Sequence, residues 1–346
     1  MKDVSSRKII GSDFMLELAM GNKTGMSQIN KFGRNPEIDS GTTPEDIWDA
    51  GGLWVPPTTF RLHNIASTSD NDTGTLVSTG TATGGSTTTL IDTGATFQTD
   101  GVVAGDAVLN DTNIDHSIVA SVDSETQLTL ESTHHANQKG SIGFNSGDTY
   151  RVVTPASTGA SVIHVYGLDE NFNEKEEFII LDGNPAGAGS NVPTVNTYWR
   201  VYRMHLDGAA SRVTNNVGTI TATAQTDNTV QSTISIGLGQ SLQAIYTIPN
   251  GKTGYMTHFS ATIYKSAVGA LANMTLRQTK FAGPDGSGSV TEHYFSLATD
   301  GSSHITHHFN PYKVFEEKTD VWMRCEATSA NTVQITGAFD IILVDN

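Results

Sequence analysis

"STISIGLGQSLQAIYTIPNGKTGYMTHFSATIYK", residues 232–265, is the stretch that decides the fold class of this chain. β-Branched and aromatic residues are frequent in "AIYTI" and in "YMTHFSATIY", the second run alternates apolar and polar residues in "FSATI", and "PNGK" lies between the two runs. Alternation with a period of two is typical of a half-buried strand, and Pro, Asn and Gly favour tight turns. The stretch therefore predicts two successive strands joined by a turn.

The same pattern extends over residues 156–346. "VIHVYGLDENFNEKEEFIIL" predicts a hairpin with a polar turn at residues 169–173, and "TYWRVYRMHLDG" predicts a further strand. About ten strands follow one another without a long helix, which favours an antiparallel β-sandwich or jelly-roll body. The last strand, "AFDIILV" at residues 338–344, is strongly apolar. We expect it to be an inner strand whose removal unfolds the body.

Two further regions precede this body. In residues 66–155 the short runs "TTLIDTG", "DAVLN", "HSIVASV" and "TQLTLES" are evenly spaced between turns, which predicts an inserted small β-barrel domain. Residues 1–65 are predicted to be an extended N-terminal arm. Within the arm, "SDFMLELAMGN" fits a short helical turn or a strand, and "TPEDIWDAGG" predicts one helical turn that Thr43 caps and Pro44 begins.

Composition narrows the function classes. The chain has 346 residues, 34 glycines and a formal net charge of −16. Such acidity argues against direct nucleic-acid binding, which needs clustered Lys and Arg, and suits solubility or docking on a basic partner. The single cysteine, Cys325, allows no intrachain disulfide and is expected to be a buried small side chain. Neither a membrane-spanning apolar run nor a signal peptide is predicted, so we expect synthesis in the cytoplasm.

Candidate metal and cofactor motifs are weak. The histidines of "THHAN", "TEHYF" and "HITHHF" lie without cysteine nearby, and a strand would divide the last group between two faces. "DNDTG" at residues 70–74 starts like a calcium loop but lacks the glutamate at its twelfth position, so it is interpreted as a linker. "GPDGSGS" at residues 283–289 fits no phosphate-binding pattern and is interpreted as a loop tip. We expect no metal and no cofactor.

Catalytic motifs are also missing from the sequence. It contains no G-x-S-x-G elbow and no Cys–His signature, and the carboxylates of "GLDENFNEKEE" are interpreted as a solvated turn rather than a glycosidase pair. In "TYWRVYRM" one face carries Tyr198, Arg200 and Tyr202 and the other Trp199, Val201 and Arg203. The favoured interpretation packs one face into the core, and the alternative is an interface or glycan-binding surface. We expect a protein that is not an enzyme.

Several motifs together resemble a known group of proteins. In chain order they are "NKFGRNPEIDSGTTPEDIWDAGG", "VIHVYGLDENFNEKEEFIILDG", "TYWRVYRMHLDG", "NVGTITA", "YTIPNGKTGYMTHFSATI" and "GAFDIILVDN". They resemble a family of tailed-bacteriophage virion structural proteins, over residues 30–60 and 160–346. The middle region resembles a small β-module that recurs as an insertion in phage proteins. The resemblance implies a non-enzymatic virion component and supplies no catalytic residues.

The resemblance implies a role for the N-terminal region. Residues 30–57 hold two tryptophans and four prolines but no helical or strand period, and virion proteins often reach onto neighbours with extended arms. We predict a partner-binding arm, because proline preorganises such a segment for binding. Deleting residues 1–57 is then expected to leave a folded body that no longer enters particles. The alternative is that the segment covers its own body. The predicted anchors are Phe32, Ile47, Trp48 and Trp54, with Arg34 pairing a carboxylate on the partner.

The expected function is an accessory protein of the phage head or neck, for example a decoration, cement, collar or head-fibre protein. Its expected partners are the major capsid protein or neck and tail proteins, and copies of itself in a homo-oligomer. The expected location is the virion, assembled in the host cytoplasm, without membrane contact. The alternatives are a tail or baseplate component and a fibre protein that binds a receptor or host glycan.

Overall fold

The chain forms an almost entirely β-structured protein. The computed structural model describes residues 13–41, 43–131, 143–183, 191–208, 210, 215–266, 269–280, 288–299 and 302–346. Its helices are α1 (Phe14–Ala19) and α2 (Phe97–Asp100). Its strands are β1 (Met26–Ile38), β2 (Glu45–Asp46), β3 (His63–Ser67), β4 (Gly74–Thr81), β5 (Gly84–Ser86), β6 (Thr89–Ile91), β7 (Ala107–Asn110), β8 (Asp115–Ser124), β9 (Gln127–Leu130), β10 (Thr149–Pro155), β11 (Val162–Leu168), β12 (Glu174–Ile180), β13 (Val192–Pro193), β14 (Arg200–Leu206), β15 (Ile220–Ala224), β16 (Val230–Ile234), β17 (Ile245–Thr247), β18 (Lys252–Tyr264), β19 (Ala270–Lys280), β20 (Val290–Thr299), β21 (Ser302–Phe315), β22 (Thr319–Thr328) and β23 (Val333–Asp345).

The described residues form two compact units. The first unit combines both ends of the chain, through Gly51 and from Ala244, and the second is the continuous stretch Gly52–Gln243. This division differs from the predicted boundaries at 65/66 and 155/156. The strands of residues 156–243 belong with the barrel region, and the N-terminal residues belong with the C-terminal body. Local patterns identify strands, but which sheet a strand joins depends on contacts that are distant in sequence.

The first unit has the strand order of a jelly roll. One sheet has the order β1-β23-β18-β21 and the other β17-β22-β19-β20, all antiparallel, with β2 paired to β22. Leaving out the two-residue β2, the first sheet holds the first, eighth, third and sixth strands of the unit. The second sheet holds the second, seventh, fourth and fifth. Two four-stranded antiparallel sheets in this order make the eight-stranded jelly roll. The all-β sandwich or jelly-roll prediction is confirmed.

The two sheets of the jelly roll enclose an apolar core. Phe259 on β18 and Phe295 on β20 come from opposite sheets, and their ring centroids are 5.2 Å apart. Gly337 on β23 lies so close to β22 that an added Cβ would be 2.7 Å from Met323 Sδ. The last strand, β23, lies between β1 and β18, which confirms the predicted inner position.

The second unit contains the predicted small barrel. Its seven-stranded sheet has the order β4-β10-β7-β8-β9-β6-β5, so β4 and β5 are at opposite ends of the sheet. Only Ala82 and Thr83 separate these two strands in the chain, so the sheet must curl until its edges meet. Ala82 N–H donates to the carbonyl of Asp148 and Thr83 N–H to that of Ile91, which bridges the corner to both neighbours. Phe97, Phe144 and Tyr150 are buried in its core.

A small sandwich completes the second unit. Its sheets have the orders β12-β11-β14 and β13-β3-β15-β16. Both sheets contribute to one core, which includes Ile65, Ile163, Val201 and Ile234. A second cluster joins β7 and β8 of the barrel to β11 and β12 of the sandwich, through Leu109, Ile118, Val162 and Phe178.

Two local predictions for the N-terminal region fail. "TPEDIWDAGG" forms the short strand β2 and a turn rather than a helical turn, because Asp46 is fully buried and Arg324 Nε donates to it at 2.6 Å. Residues 26–38 are a strand and not an aperiodic arm, since β1 pairs with β23 from Met26 to Ile38. "SDFMLELAMGN" forms helix α1, which Asp13 caps by accepting from Met15 N–H at 2.9 Å. No helix in the described ranges is long and apolar enough to span a membrane.

Candidate functional site

The predicted partner-binding residues on β1 are positioned by pairing with β23. Phe32 is half-buried and lies opposite Ala338. Arg34 lies opposite Thr336, and its Nε is 2.7 Å from Asp49 Oδ1. The carboxylate that Arg34 binds in this structure therefore comes from its own chain.

Ile47 and Trp48 are buried in the jelly-roll unit. Ile47 N–H donates to the carbonyl of Met323 at 3.0 Å, and the Ile47 carbonyl accepts from Ala244 N–H at 2.9 Å. Ile47 is 0% and Trp48 4% exposed. In this structure the two residues cover their own body, as the alternative interpretation expects. Their binding to a partner stays a prediction.

Trp54 belongs to the other unit. It is 9% exposed, and the Arg200 guanidinium carbon lies 5.3 Å from its ring centroid. This geometry is that of a cation–π contact. Four of the five predicted residues thus lie in the jelly roll and the fifth in the second unit, so the structure does not bring them together on one element.

Buried polar contacts join β1 to β2 and fix β2 to β22. Asp46 accepts from Arg324 Nε at 2.6 Å and from its second nitrogen at 3.2 Å. Fully buried Asn35 donates to Glu45 Oε2 at 3.0 Å and to the Asp46 carbonyl at 3.2 Å. Charge-assisted and bidentate contacts are among the stronger hydrogen bonds in proteins. These hydrogen bonds fix residues that have few apolar side chains to bury.

Helix α1 presents the most apolar exposed surface near the N-terminus. Leu18 is buried, but Phe14, Met15, Leu16 and Met20 are 42%, 39%, 54% and 55% exposed. We call these four residues the N-terminal apolar patch. Single exposed apolar residues are normal, whereas four within seven positions make this stretch a candidate contact surface.

The histidines of "HITHHF" lie on β21, at the edge of the four-stranded sheet. His304 and His308 are exposed, as a strand edge predicts. His307 is half-buried and its ring centroid is 4.4 Å from that of His293 on β20. Across the part of the chain that the structure describes, no group of three or more His, Cys, Asp or Glu side chains is placed to hold a metal ion. "THHAN" lies outside the described residues.

The second unit contains an open groove of about 780 Å³. It runs between the turn after β7, where Asp111 and Asn113 lie, and strand β12 with Glu174 and Glu176. Arg151 closes one wall by donating to both oxygens of Asp111, at 2.8 and 2.6 Å. The groove offers carboxylate and amide groups, which suits hydrogen bonding to a polar ligand.

A tyrosine and two histidines form a network beside this groove. Tyr166 Oη lies 2.9 Å from His164 Nδ1 and 2.8 Å from His205 Nε2, and His164 Nε2 lies 3.0 Å from Glu176. Burial lowers the pKa of His205, and burial with the nearby Glu176 charge raises the pKa of Tyr166 above its usual value. The network therefore favours a neutral tyrosine and a neutral His205. It joins β11, β12 and β14 and supplies no activated nucleophile.

The only cysteine is also unsuited to chemistry. Cys325 is 1% exposed on β22, and burial raises the pKa of its thiol to about 12. A thiol rather than a thiolate at neutral pH is a poor nucleophile. The predicted role of Cys325 as a small buried side chain is confirmed.

Sequence reasoning missed a buried carboxylate in the segment interpreted as a linker. Asp72 is 0% exposed and accepts from Ser67 Oγ at 2.6 Å, Ala160 N–H at 2.8 Å and Gly218 N–H at 2.7 Å. It therefore ties together three segments of the second unit. The Asx-rich turn "DNDTG" was visible in the sequence, but its donors lie far along the chain.

A second missed carboxylate lies in the run interpreted as solvated. Glu177 is 6% exposed and accepts from the N–H groups of Val195 and Asn196 at 2.7 and 3.0 Å, and from Tyr198 Oη at 2.8 Å. Tyr198, Arg200 and Tyr202 are all buried, as are Val201 and Met204, and Tyr198, Val201 and Met204 lie in one core cluster. The favoured packing of this strand is confirmed for one face, and the second face is more buried than expected.

Comparison with known proteins adds little. No family model matches the chain, and no curated protein matches it. Similar solved structures include one of the cowpea mosaic virus top component, its naturally occurring empty particles, at 12% identity, over 54% of this chain and 77% of that chain, with a TM-score of 0.19.

Two further similar structures are of infectious bursal disease virus. The Gt strain structure is 9% identical over 96% of this chain and 78% of that chain, with a TM-score of 0.17. The Gx strain structure is 10% identical over 85% and 80%, with a TM-score of 0.15. All three structures are of viruses, and none is of a tailed phage.

Proposed function

We propose that this chain is a non-enzymatic structural component of a tailed-phage virion, an accessory head or neck protein. The observation that carries the proposal is the N-terminal apolar patch of Phe14, Met15, Leu16 and Met20, at 39–55% exposure. A chain with net charge −16 has little reason to expose such a cluster unless another molecule covers it. The sequence motifs that resemble virion proteins supply the class of partner, such as the major capsid protein or a neck protein.

The remaining features suit assembly better than catalysis. Jelly rolls occur in viral capsids, lectins and cupins alike, so the fold permits this function without deciding it. In the described residues, the buried carboxylates Asp72 and Glu177 hold backbone segments, and Cys325 is inert. The acidic charge suits an outer surface of the particle rather than packaged DNA. Association of many copies would stabilise the particle by mass action.

The structure changes the experiment that tests docking. Deleting residues 1–57 would remove β1, β2 and the buried residues Ile38 and Ile47, so the jelly roll would lose its first strand. Substitutions on the N-terminal apolar patch test docking without removing a strand of the jelly roll. The variant Phe14→Ser/Leu16→Ser/Met20→Ser is expected to fold normally and to fail to enter particles that lack the native protein. The matched control is Ile236→Ser, which alters a 63% exposed side chain of the other unit and should enter normally.

The readout is copy number per particle, by quantitative mass spectrometry against the major capsid protein. Dozens to hundreds of copies support a head decoration or cement protein. A dozen or fewer support the neck, tail or baseplate. Normal entry of the triple variant would overturn docking through the N-terminal patch, and absence of the native chain from purified particles would overturn the virion role.

A receptor- or glycan-binding fibre is the second candidate, and the groove of about 780 Å³ is the observation that favours it. Polar groups such as Asp111, Asn113 and Asn196 line the groove and could bind sugar hydroxyls. The isolated protein would then bind host cells and block infection. Asn113→Ala should abolish that binding, whereas the patch variant should keep it.

A further inference from the structure

At one edge of the jelly roll, a long strand pairs with a neighbour on one side only. Strand β21 is the last strand of its sheet and pairs only with β18, from Ser302 to Phe315. In the described part of the chain, no backbone hydrogen bond reaches its other edge. An unpaired strand edge is a template for pairing with another chain unless charge, proline or a bulge blocks it.

Blocking residues are confined to one end of this strand. Pro311 and Lys313 are such features, and Lys313 pairs with Glu292 on β20. Residues 303–309 contain no proline, lysine, arginine, aspartate or glutamate. We call residues 303–309 the β21 strip. Along it His304, Thr306 and His308 are exposed, while Ile305, His307 and Phe309 are half-buried.

Charge argues for a second copy of this chain as the occupant. The net charge of −16 makes two copies repel each other over most of their surfaces. Strand β21 has no carboxylate anywhere between Ser302 and Phe315, whereas the edge strand β12 carries Glu174, Glu176 and Glu177. Two copies can therefore approach along β21 without bringing carboxylates of that strand together.

The side-chain pattern also suits self-pairing. In an antiparallel pair of identical strands centred at Thr306, each Thr306 faces its counterpart, and each His304 faces His308 of the partner subunit. None of these facing side chains is a carboxylate, a lysine or an arginine, so no permanent like charges face each other. A two-fold arrangement uses the same patch on both copies, which is the commonest symmetry of homodimers.

We propose that two copies of this chain pair through the β21 strip, antiparallel and edge to edge, so that their four-stranded sheets become one continuous eight-stranded sheet. Main-chain hydrogen bonds supply the attraction, as in other cases of strand addition. This inference goes beyond the proposed virion role, because it concerns the isolated protein and names the surface that copies share. It does not use the N-terminal apolar patch.

The test exploits the single cysteine. Cys325 is 1% exposed and its thiol has a raised pKa, so it should not react with maleimides at neutral pH. Thr306→Cys then provides the only accessible thiol of the chain. With a short bis-maleimide, Thr306→Cys is expected to form covalent dimers at least tenfold faster than Ser296→Cys. Ser296 is an exposed position of similar chemistry on β20, outside the strip. His304→Cys and His308→Cys fix the register.

A second variant tests the interface without chemistry. Thr306→Glu/His308→Glu places carboxylates on both copies of the strip and should weaken dimerisation at least tenfold in sedimentation equilibrium, while Ser296→Glu should not. Equal cross-linking of all cysteine variants, or a wild-type chain that stays monomeric at about 100 µM, would overturn the proposal. Because these experiments use purified protein, their failure would leave the virion role to be judged by particle composition alone.

Discussion

Strands β1 and β23 pair with each other along their length, yet they are stabilised by different chemistry. The buried side of β23 is made by Ile335, Phe339 and Ile341, all 0% exposed. The buried side of β1 contains Lys31 and Asn35, at 2% and 0%. Two strands of one sheet can therefore occupy equivalent places while one contributes apolar burial and the other buried hydrogen bonds.

The difference matters because the two kinds of stabilisation respond to different changes. Apolar burial scales with the area removed from water and is lost when a side chain is shortened. A buried polar group contributes little net energy when it is satisfied, but it costs more when its partner is removed. The contrast between β23 and β1 can therefore be tested by substitution.

Shortening a core side chain of β23 should have the largest effect. Phe339→Ala removes a fully buried ring and should lower the free energy of unfolding of the jelly roll by about 3 to 5 kcal/mol. Phe32→Ala, on the half-buried side of β1, should cost about 1 kcal/mol because less area is lost. Urea unfolding followed by fluorescence of Trp48 and Trp322, in a background of Trp54→Phe/Trp199→Phe, reports on this unit alone.

Equal losses for the two phenylalanine variants would contradict the contrast between the strands. The other unit can be followed separately in the reciprocal background, Trp48→Phe/Trp322→Phe, since Trp54 and Trp199 both belong to it.

Acid should destabilise the second unit next most strongly. Burial lowers the pKa of His63 to about 4, and the Arg61 carbonyl and the Asp227 charge only partly oppose this shift. The unfolded chain binds the proton at an ordinary histidine pKa near 6.5, so stability is complete above that pH and falls as the pH drops towards 4. The loss attributable to His63 should approach ~3 kcal/mol, from ~1.4 kcal/mol per pKa unit.

The measurement is urea unfolding of the second unit between pH 7 and 4.5, in wild type, His63→Gln and His304→Gln. His63→Gln should flatten the pH dependence, whereas His304→Gln, at an exposed position, should leave it unchanged. A pH dependence that survives in His63→Gln would show that other groups cause it.

Breaking the polar side of β1 should have the smallest of these effects. Asn35→Ala removes the donor to Glu45 and Asp46 and the acceptor for Glu37 N–H, and should cost about 2 kcal/mol. Gln28→Ala, at an exposed position of the same strand, should change the stability by less than about 0.5 kcal/mol. If Asn35→Ala lowered the free energy of unfolding as much as Phe339→Ala does, the expected difference between polar burial in β1 and apolar burial in β23 would be contradicted.

The sequence allowed some of these features to be predicted, and physical reasons explain the rest. Strand β23 and the strands of the barrel alternate apolar and polar residues, so their type and approximate position were accessible. Strand β1 could not be predicted in this way, because Lys31 and Asn35 occupy buried positions where apolar residues would have shown the strand alternation. The buried roles of Asp72 and Glu177 depend on donors 18 or more positions away, apart from Ser67. No local pattern carries that information.

The boundaries of the two units could not be predicted from the sequence, for a related reason. Strands on both sides of Gln243 have the same composition and period, and only pairing shows that β16 belongs with β15 while β17 belongs with β22. The predicted arm failed as a description of residues 26–51 because their partners, β22 and β23, come almost at the end of the chain.

Hydrogen exchange of the full-length isolated protein tests the central claim most directly, namely that β1 is the first strand of the jelly roll and not a free arm. The account predicts that the β1 amides bonded to β23 exchange together with those of β23, at a rate far below that of an unfolded peptide. The contradicting result is a β1 segment that exchanges within seconds while β23 stays protected.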